Sequence, residues 1–195
     1  MIKKFWTARD PVPSTSENEF KDLIDSRITE IASEKLFADL QTPGLLFRSN
    51  GGLRGDMARV YLLHGPPQVA SVVEGSSFVN LLLWMYMGEN NSVKMAFLFY
   101  EEMGAGNFRL FPQDAYAMDE CRAFMKIAKF QAGDSVCNGG AAGEIKNEVV
   151  RSSGSGGVPG YFFAWALTHF SQGILTQGRA LLPPTPASLV AKSSG

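Results

Sequence analysis

Few residues of this chain have the chemistry of a catalytic base or nucleophile. The imidazoles are His64 and His169 and the thiols are Cys121 and Cys137, in a chain of 195 residues. A histidine can accept a proton at neutral pH, and a cysteine paired with a histidine can attack a carbonyl carbon. A hydrolase that uses His64, with Asp56 beside it, or a Cys-His pair is therefore one alternative. Because no cysteine lies in a nucleophile-elbow or papain-like context, the sequence favours a protein without catalysis.

Metal binding is not indicated by the acidic residues or the cysteines. The pairs Glu101-Glu102 and Asp119-Glu120 are adjacent in sequence, so their side chains diverge on a strand or a helix. A total of 2 cysteines forms neither a disulfide framework nor a zinc site, and leaves open one disulfide or two free thiols. We therefore predict no cofactor and no metal.

Neighbouring opposite charges offer a possible ligand site. They are Arg9-Asp10 and the pair Asp56 and Arg59. Such pairs more often tie a loop to the element beside it, so a structural role is the preferred interpretation. A small-ligand-binding domain around Asp56 and Arg59 is kept as an alternative. Asn18 is expected to hydrogen-bond the backbone near it rather than to act as a catalytic amide.

The overall charge and the apolar segments exclude further classes of function. With 18 Lys and Arg against 19 Asp and Glu, the net charge of -1 gives no basic excess for binding nucleic acid. The turn Gly65-Pro66-Pro67 lacks the lysine and glycine spacing of a nucleotide-binding loop. The start of the chain has no apolar region of a signal peptide, and we also expect no transmembrane segment, because residues 79–87 are too few and residues 161–182 too polar.

Capping signals and apolar spacing predict the elements that position these residues. The capping box Ser16-x-x-Glu19 predicts a helix from about residue 17 to about residue 40. A second helix is expected over residues 114–130. Apolar and aromatic runs with glycine-rich links predict strands over residues 57–63, 78–87, 93–101 and 107–111.

These elements predict an α+β fold. A capped N-terminal helix is expected to pack on an antiparallel β-meander of about four strands, followed by two C-terminal helices. Residues 1–132 form the expected domain, and residues 133–160 are rich in glycine and serine and are expected to be a loop or linker. Residues 161–195 are expected to form an aromatic helix and a proline-rich tail.

The order of several sequence blocks resembles that of the bacterial GWxTD domain family. The blocks are FWTARDPVPSTSENEF, GLRGDMARVYLLHGPPQ, LWMYMG, MAFLFY and GNFRLF. The first block contributes Trp6, Arg9, Asp10 and Asn18. The residues of the second block that fit the family pattern are Asp56, Arg59, Tyr61, Gly65, Pro66 and Pro67. The name-giving motif is degraded over Gly52–Asp56, since Leu53 stands for the Trp and Gly55 for the Thr, and Met57-Ala58 follows the Asp where the family has Arg-Gly.

The resemblance implies a protein exported by an environmental bacterium, often joined to further domains, and it supplies no established reaction. It suggests an exported or periplasmic location, while the chain itself shows no signal peptide. Because its motif is degraded, this member is expected to have lost or altered any binding activity of the family.

We predict a non-catalytic structural or protein-interaction module that is a subunit or domain of a larger bacterial assembly. Its contact surface is expected on the helix over residues 161–182, whose apolar side chains cannot all share one stripe. The candidate contact residues are Phe162, Phe163, Trp165, Phe170 and Ile174. They would bind another protein or a second copy of the chain, unless this helix completes the chain's own core.

Overall fold

The computed structural model describes residues 2–33, 51–102, 106–112, 118–129, 137 and 140–172. The chain divides into two compact units. The helical unit comprises Met1–Pro66 with Ala105–Asn107, and the sheet unit comprises Pro67–Gly104 with Phe108–Gly195. The fold class is α+β, with an N-terminal helical part, an antiparallel sheet of four strands and C-terminal helices, which confirms the predicted class. The division into two units differs from the three predicted regions.

The described part of the helical unit contains three helices. They are α1 (Ile2–Thr7), α2 (Glu19–Ser33) and α3 (Asp56–His64), and a short 3-10 turn over Gly52–Arg54 leads into the third. Helix α2 contacts both the turn and α3, and this contact forms the small core of the unit.

Asn18 is the residue that starts α2. Its side-chain oxygen accepts a hydrogen bond from the N–H of Lys21 at 2.9 Å, and its side-chain nitrogen donates to the carbonyl oxygen of Trp6 at 2.8 Å. The cap predicted at Ser16 is therefore two residues too early, whereas the local hydrogen bonding predicted for Asn18 is present. The predicted end of this helix, near residue 40, lies outside the described residues.

Helix α3 corrects the strand predicted over residues 57–63. Its buried residues, Met57, Ala58, Val60 and Tyr61, recur at helical spacing. A half-buried strand would instead bury every second residue, including position 59, but Arg59 is exposed. Val60 and Tyr61 are residue types that favour strands, and packing against α2 overrides that preference.

The sheet unit contains a meander in the order β1-β2-β3-β4, with antiparallel neighbours throughout. The strands are β1 (Val69–Val73), β2 (Leu81–Met87), β3 (Val93–Glu101) and β4 (Phe108–Leu110). The last three correspond to strands predicted from the sequence. The first was not predicted, and it takes the place of the strand assigned to residues 57–63.

Helices on one face of the sheet complete its main core. They are α4 (Glu120–Lys126), α5 (Ala141–Arg151) and α6 (Gly160–Ser171). Their buried side chains form one hydrophobic cluster with the strand residues Leu81, Leu83 and Leu98. No helix in the described residues is long and apolar enough to cross a membrane.

Residues 133–160 do not form only the predicted loop or linker. Helix α5 occupies much of this range and buries Ala142, Ile145 and Val149 in the core. The loop after α5 covers the edge of β1, because the Ser155 hydroxyl accepts a hydrogen bond from the N–H of Val72 at 2.8 Å. Exposed strand edges invite pairing with other chains, so this loop protects the sheet.

Candidate functional site

The cysteines are not available as nucleophiles in this structure. Cys121 at the start of α4 and Cys137 form a disulfide with a Cα–Cα distance of 5.7 Å. His169 lies on α6, where its Nδ1 atom is 2.8 Å from the carbonyl oxygen of Trp165 and its ring is 4.5 Å from the indole. A Cys-His pair therefore does not form, since the thiolate that it requires is absent.

His64 lies at the last position of α3. Burial and, as the smaller cause, the Arg27 guanidinium lower the pKa of His64, which favours its neutral imidazole. The predicted partner Asp56 lies at the first position of the same helix, about 12 Å away along the axis. The sequence prediction that places Asp56 beside His64 is wrong, because the two residues lie at opposite ends of α3.

Arg9 and Asp10 each contact residues that are close to them in sequence. The Arg9 guanidinium lies 3.8 Å from the centre of the Phe5 ring, and one Asp10 carboxylate oxygen accepts a hydrogen bond from the N–H of Val12 at 3.0 Å. Trp6 packs edge-on against Phe5 with ring centres 5.0 Å apart. These contacts close a turn after α1 and do not converge on a common point.

Two polar contacts fasten α3 to α2. The Tyr61 hydroxyl donates a hydrogen bond to the Glu30 carboxylate, and burial, followed by this bond, raises the pKa of Tyr61. The Arg27 guanidinium donates to the carbonyl oxygen of Leu62 at 2.7 Å. Tyr61 and Arg27 thus hold the two helices in a fixed orientation.

The Gly65-Pro66-Pro67 motif ends α3. Gly65 has a φ of 77°, and its N–H donates to the carbonyl oxygen of Tyr61 at 2.7 Å. A Cβ atom there would lie 2.8 Å from the Arg27 guanidinium, so both the backbone and the neighbouring side chain require glycine. The prolines that follow prevent the helix from continuing.

The outer face of α3 is the candidate functional site. We define it as Asp56, Arg59 and Leu63, which share one side of the helix, with Leu53 of the preceding turn. Arg59 and Asp56 form an ion pair at 3.5 Å, and Leu63 is 73% exposed. The sequence prediction singled out Asp56 and Arg59 but not Leu63, because a strand assignment gives no reason to place that leucine in solvent.

The aromatic residues of α6 do not form a free contact surface. Phe163 and Phe170 are fully buried in the core of the sheet unit. Phe162 and Trp165 are half-buried and pack against that core, and Ile174 lies outside the described residues. The prediction of a partner surface is therefore wrong for Phe163 and Phe170, since the helix completes the core of its own unit.

Sequence inspection missed a cluster of hydrogen bonds around Glu148 in the sheet unit, which we call the Glu148 clasp. The Glu148 carboxylate on α5 accepts hydrogen bonds from the backbone N–H groups of Ser76 at 2.6 Å and Ser77 at 3.1 Å, and also from both serine hydroxyls. The Ser77 hydroxyl and the Ser76 N–H are the main groups that lower the pKa of Glu148 to about 2. This clasp holds the loop between β1 and β2 against α5.

Comparison with known proteins gives no match, since neither a family model nor a curated protein nor a solved structure is significantly similar to the chain. The resemblance to the GWxTD family rests on the quoted sequence blocks and stays a prediction. Within the ranges that the structure describes, no group of three or more His, Cys, Asp or Glu residues is placed to hold a metal ion.

Proposed function

We propose that the protein is a non-catalytic interaction module of a larger bacterial assembly, and that another protein binds the outer face of α3. The exposure of Leu63 carries this proposal, because 73% of its surface is in solvent although it lies on an ordered helix. Leu53, in the turn before α3, is 48% exposed. Apolar side chains rimmed by charged ones are typical of protein-binding surfaces.

The charges on the same face suit a binding surface of this kind. Arg59 and Asp56 form an exposed ion pair, which contributes little to the stability of the free chain. Arginine is enriched among the residues that dominate binding at protein interfaces, and its pairing can change when a partner arrives. The family-pattern residues Asp56 and Arg59 are therefore interpreted as contact residues.

The enzymatic alternatives have less support. The disulfide between Cys121 and Cys137 removes the thiol that a Cys-His hydrolase requires. The lowered pKa of His64 favours the neutral imidazole that a base requires, but the partner expected for it lies at the far end of α3. Asp56 and Arg59 pair with each other on an exposed helix face, so they offer a small molecule little enclosure.

The compartment is part of the same proposal. Disulfides persist mainly in oxidising environments, such as the periplasm and the cell exterior. The pairing of Cys121 with Cys137 therefore supports the exported location that the GWxTD resemblance implies.

Quantitative mass spectrometry of co-isolated proteins tests the proposal. The wild type, Leu63→Lys and the control Val150→Lys would be isolated from the native bacterium under identical conditions. Val150 is a suitable control because it is also an exposed apolar residue on a helix, with 40% exposure. We expect one specific companion to be lost with Leu63→Lys and retained with Val150→Lys. Equal recovery with all three chains would contradict the proposal.

A second experiment addresses catalysis. If His64 were a general base, His64→Ala would abolish an activity that the wild type shows in a broad hydrolase screen. We expect the wild type itself to show no such activity above a heat-inactivated control.

A further inference from the structure

We propose that α1 binds the surface of an anionic lipid bilayer through a basic face. We define this basic face as Lys3, Lys4 and Phe5 of α1 with Arg9 immediately after it. All of these side chains are exposed, and the segment from residue 3 to residue 9 contains no acidic residue. The surface is separate from the outer face of α3 in its residues and in its chemistry.

The packing of Trp6 sets the orientation of this face. The Trp6 ring is 6.1 Å from the ring of Phe20 on α2, so this side of α1 points toward the unit. At 3.6 residues per turn, Lys4 and Ala8 fall on the opposite side, Phe5 lies next to Ala8, and Lys3 lies at the lateral edge, about 60° around the helix from Trp6. A bilayer can contact the exposed side of this helix along its length, without an enclosed groove.

The positive charges of the basic face have no acidic partner among the residues that the structure describes. Within the described residues, no carboxylate forms an ion pair with Lys3, Lys4 or Arg9. The closest acidic residue in sequence, Asp10, uses a carboxylate oxygen to accept the Val12 N–H at 3.0 Å. An anionic surface would supply the missing counter-charges.

The phenylalanine distinguishes a bilayer from other anionic partners. Phe5 is 46% exposed, and aromatic side chains are favoured at the boundary between lipid headgroups and acyl chains. One face of its ring is covered by the Arg9 guanidinium at 3.8 Å and is closed to base stacking. The net charge of -1 also disfavours nucleic acid as the partner.

Vesicle sedimentation with the full chain tests the inference. Vesicles of phosphatidylcholine alone would be compared with vesicles that also contain phosphatidylglycerol, at low and high salt. We expect binding only to the anionic vesicles, weakened by salt. Lys3→Ala combined with Lys4→Ala should weaken it about 30-fold, and Phe5→Ala about tenfold.

The matched control is Lys94→Ala combined with Lys126→Ala, since both lysines are exposed and belong to the sheet unit. This control changes the net charge equally and should bind like the wild type. Circular dichroism checks that each variant is folded, and Lys3→Gln with Lys4→Gln replaces the alanine pair if it is not. Equal losses with the control pair, no binding to anionic vesicles, or equal binding to a single-stranded oligonucleotide would overturn the inference.

Discussion

The two units differ in how many of their large apolar side chains are exposed to solvent. In the sheet unit, Phe163, Phe170 and the strand residues beside them are buried, and among its described residues only Val150 is a strongly exposed large apolar residue. The helical unit exposes Phe5, Val12, Leu23, Leu53 and Leu63. Polar contacts, such as the Tyr61 hydroxyl on Glu30, hold much of the helical unit together. The large apolar side chains of the described residues are thus mostly buried in the sheet unit and more often exposed in the helical unit, which supports the proposal that the helical unit binds another protein.

The largest difference in stability is expected between a side-chain truncation in the sheet unit and one in the helical unit. Phe163→Ala removes a fully buried ring and should lower the free energy of unfolding by about 3–5 kcal/mol. Leu63→Ala removes an exposed side chain and should change it by less than about 0.5 kcal/mol. Urea denaturation followed by circular dichroism measures both. Similar losses in the free energy of unfolding for the two variants would contradict the difference between the units.

The disulfide should give the next largest effect. Cys121 and Cys137 are 16 residues apart, and removing a link that closes a loop of this size costs about 3 kcal/mol. We expect Cys121→Ala with Cys137→Ala to lower the unfolding free energy by that amount. A reducing agent should destabilise the wild type similarly and leave the double variant unchanged. A double variant that still responds to the reductant would show that another cause is at work.

A smaller effect is expected at the contact between α2 and α3. Tyr61→Phe removes the hydroxyl that bonds the Glu30 carboxylate and should cost about 1.5 kcal/mol in denaturation experiments. Tyr161→Phe is the matched control, because within the described structure the Tyr161 hydroxyl has no hydrogen-bond partner. If both changes have the same effect, the hydrogen bond between Tyr61 and Glu30 does not stabilise the helical unit.

The smallest effect is a pH dependence in the sheet unit. The hydrogen bonds from Ser77 and Ser76 lower the pKa of Glu148 from 4.5 to about 2, so the folded state favours the charged carboxylate. This contribution is present above pH 4.5 and is lost as the pH falls to about 2. Glu148→Gln should reduce the loss of thermal stability in that window, measured as melting temperature against pH. Glu144→Gln, on the same surface of α5, should not reduce this loss. An equal change in the pH dependence for both variants would refute the role assigned to Glu148.

The elements that the sequence predicted well are those with strong local signals. The aromatic and aliphatic runs of β2 and β3 identify two central strands, and the glycine and asparagine residues between them mark the turn. β1 was missed, since Val69–Val73 is short and contains small residues. α5 was missed because glycine-rich surroundings hid the spacing of Ala142, Ile145 and Val149, which repeats at helical intervals.

The candidate site was predicted only in part. Asp56 and Arg59 were identified from their charges, but their common face with Leu63 follows from the helical conformation of α3. The strand-favouring residues Val60 and Tyr61 obscured that conformation. The Glu148 clasp joins residues 71 positions apart and depends on tertiary structure, which no local pattern reports.

Photo-crosslinking from position 63 tests the central proposal most directly. A photoreactive amino acid would replace Leu63 in one chain and Val150 in another, and both would be irradiated in cells of the native source. We predict a discrete adduct with one other protein from position 63 and none from position 150. An absence of adducts from position 63, or the same adducts from both positions, would contradict the assignment of the outer face of α3 as a protein-binding surface.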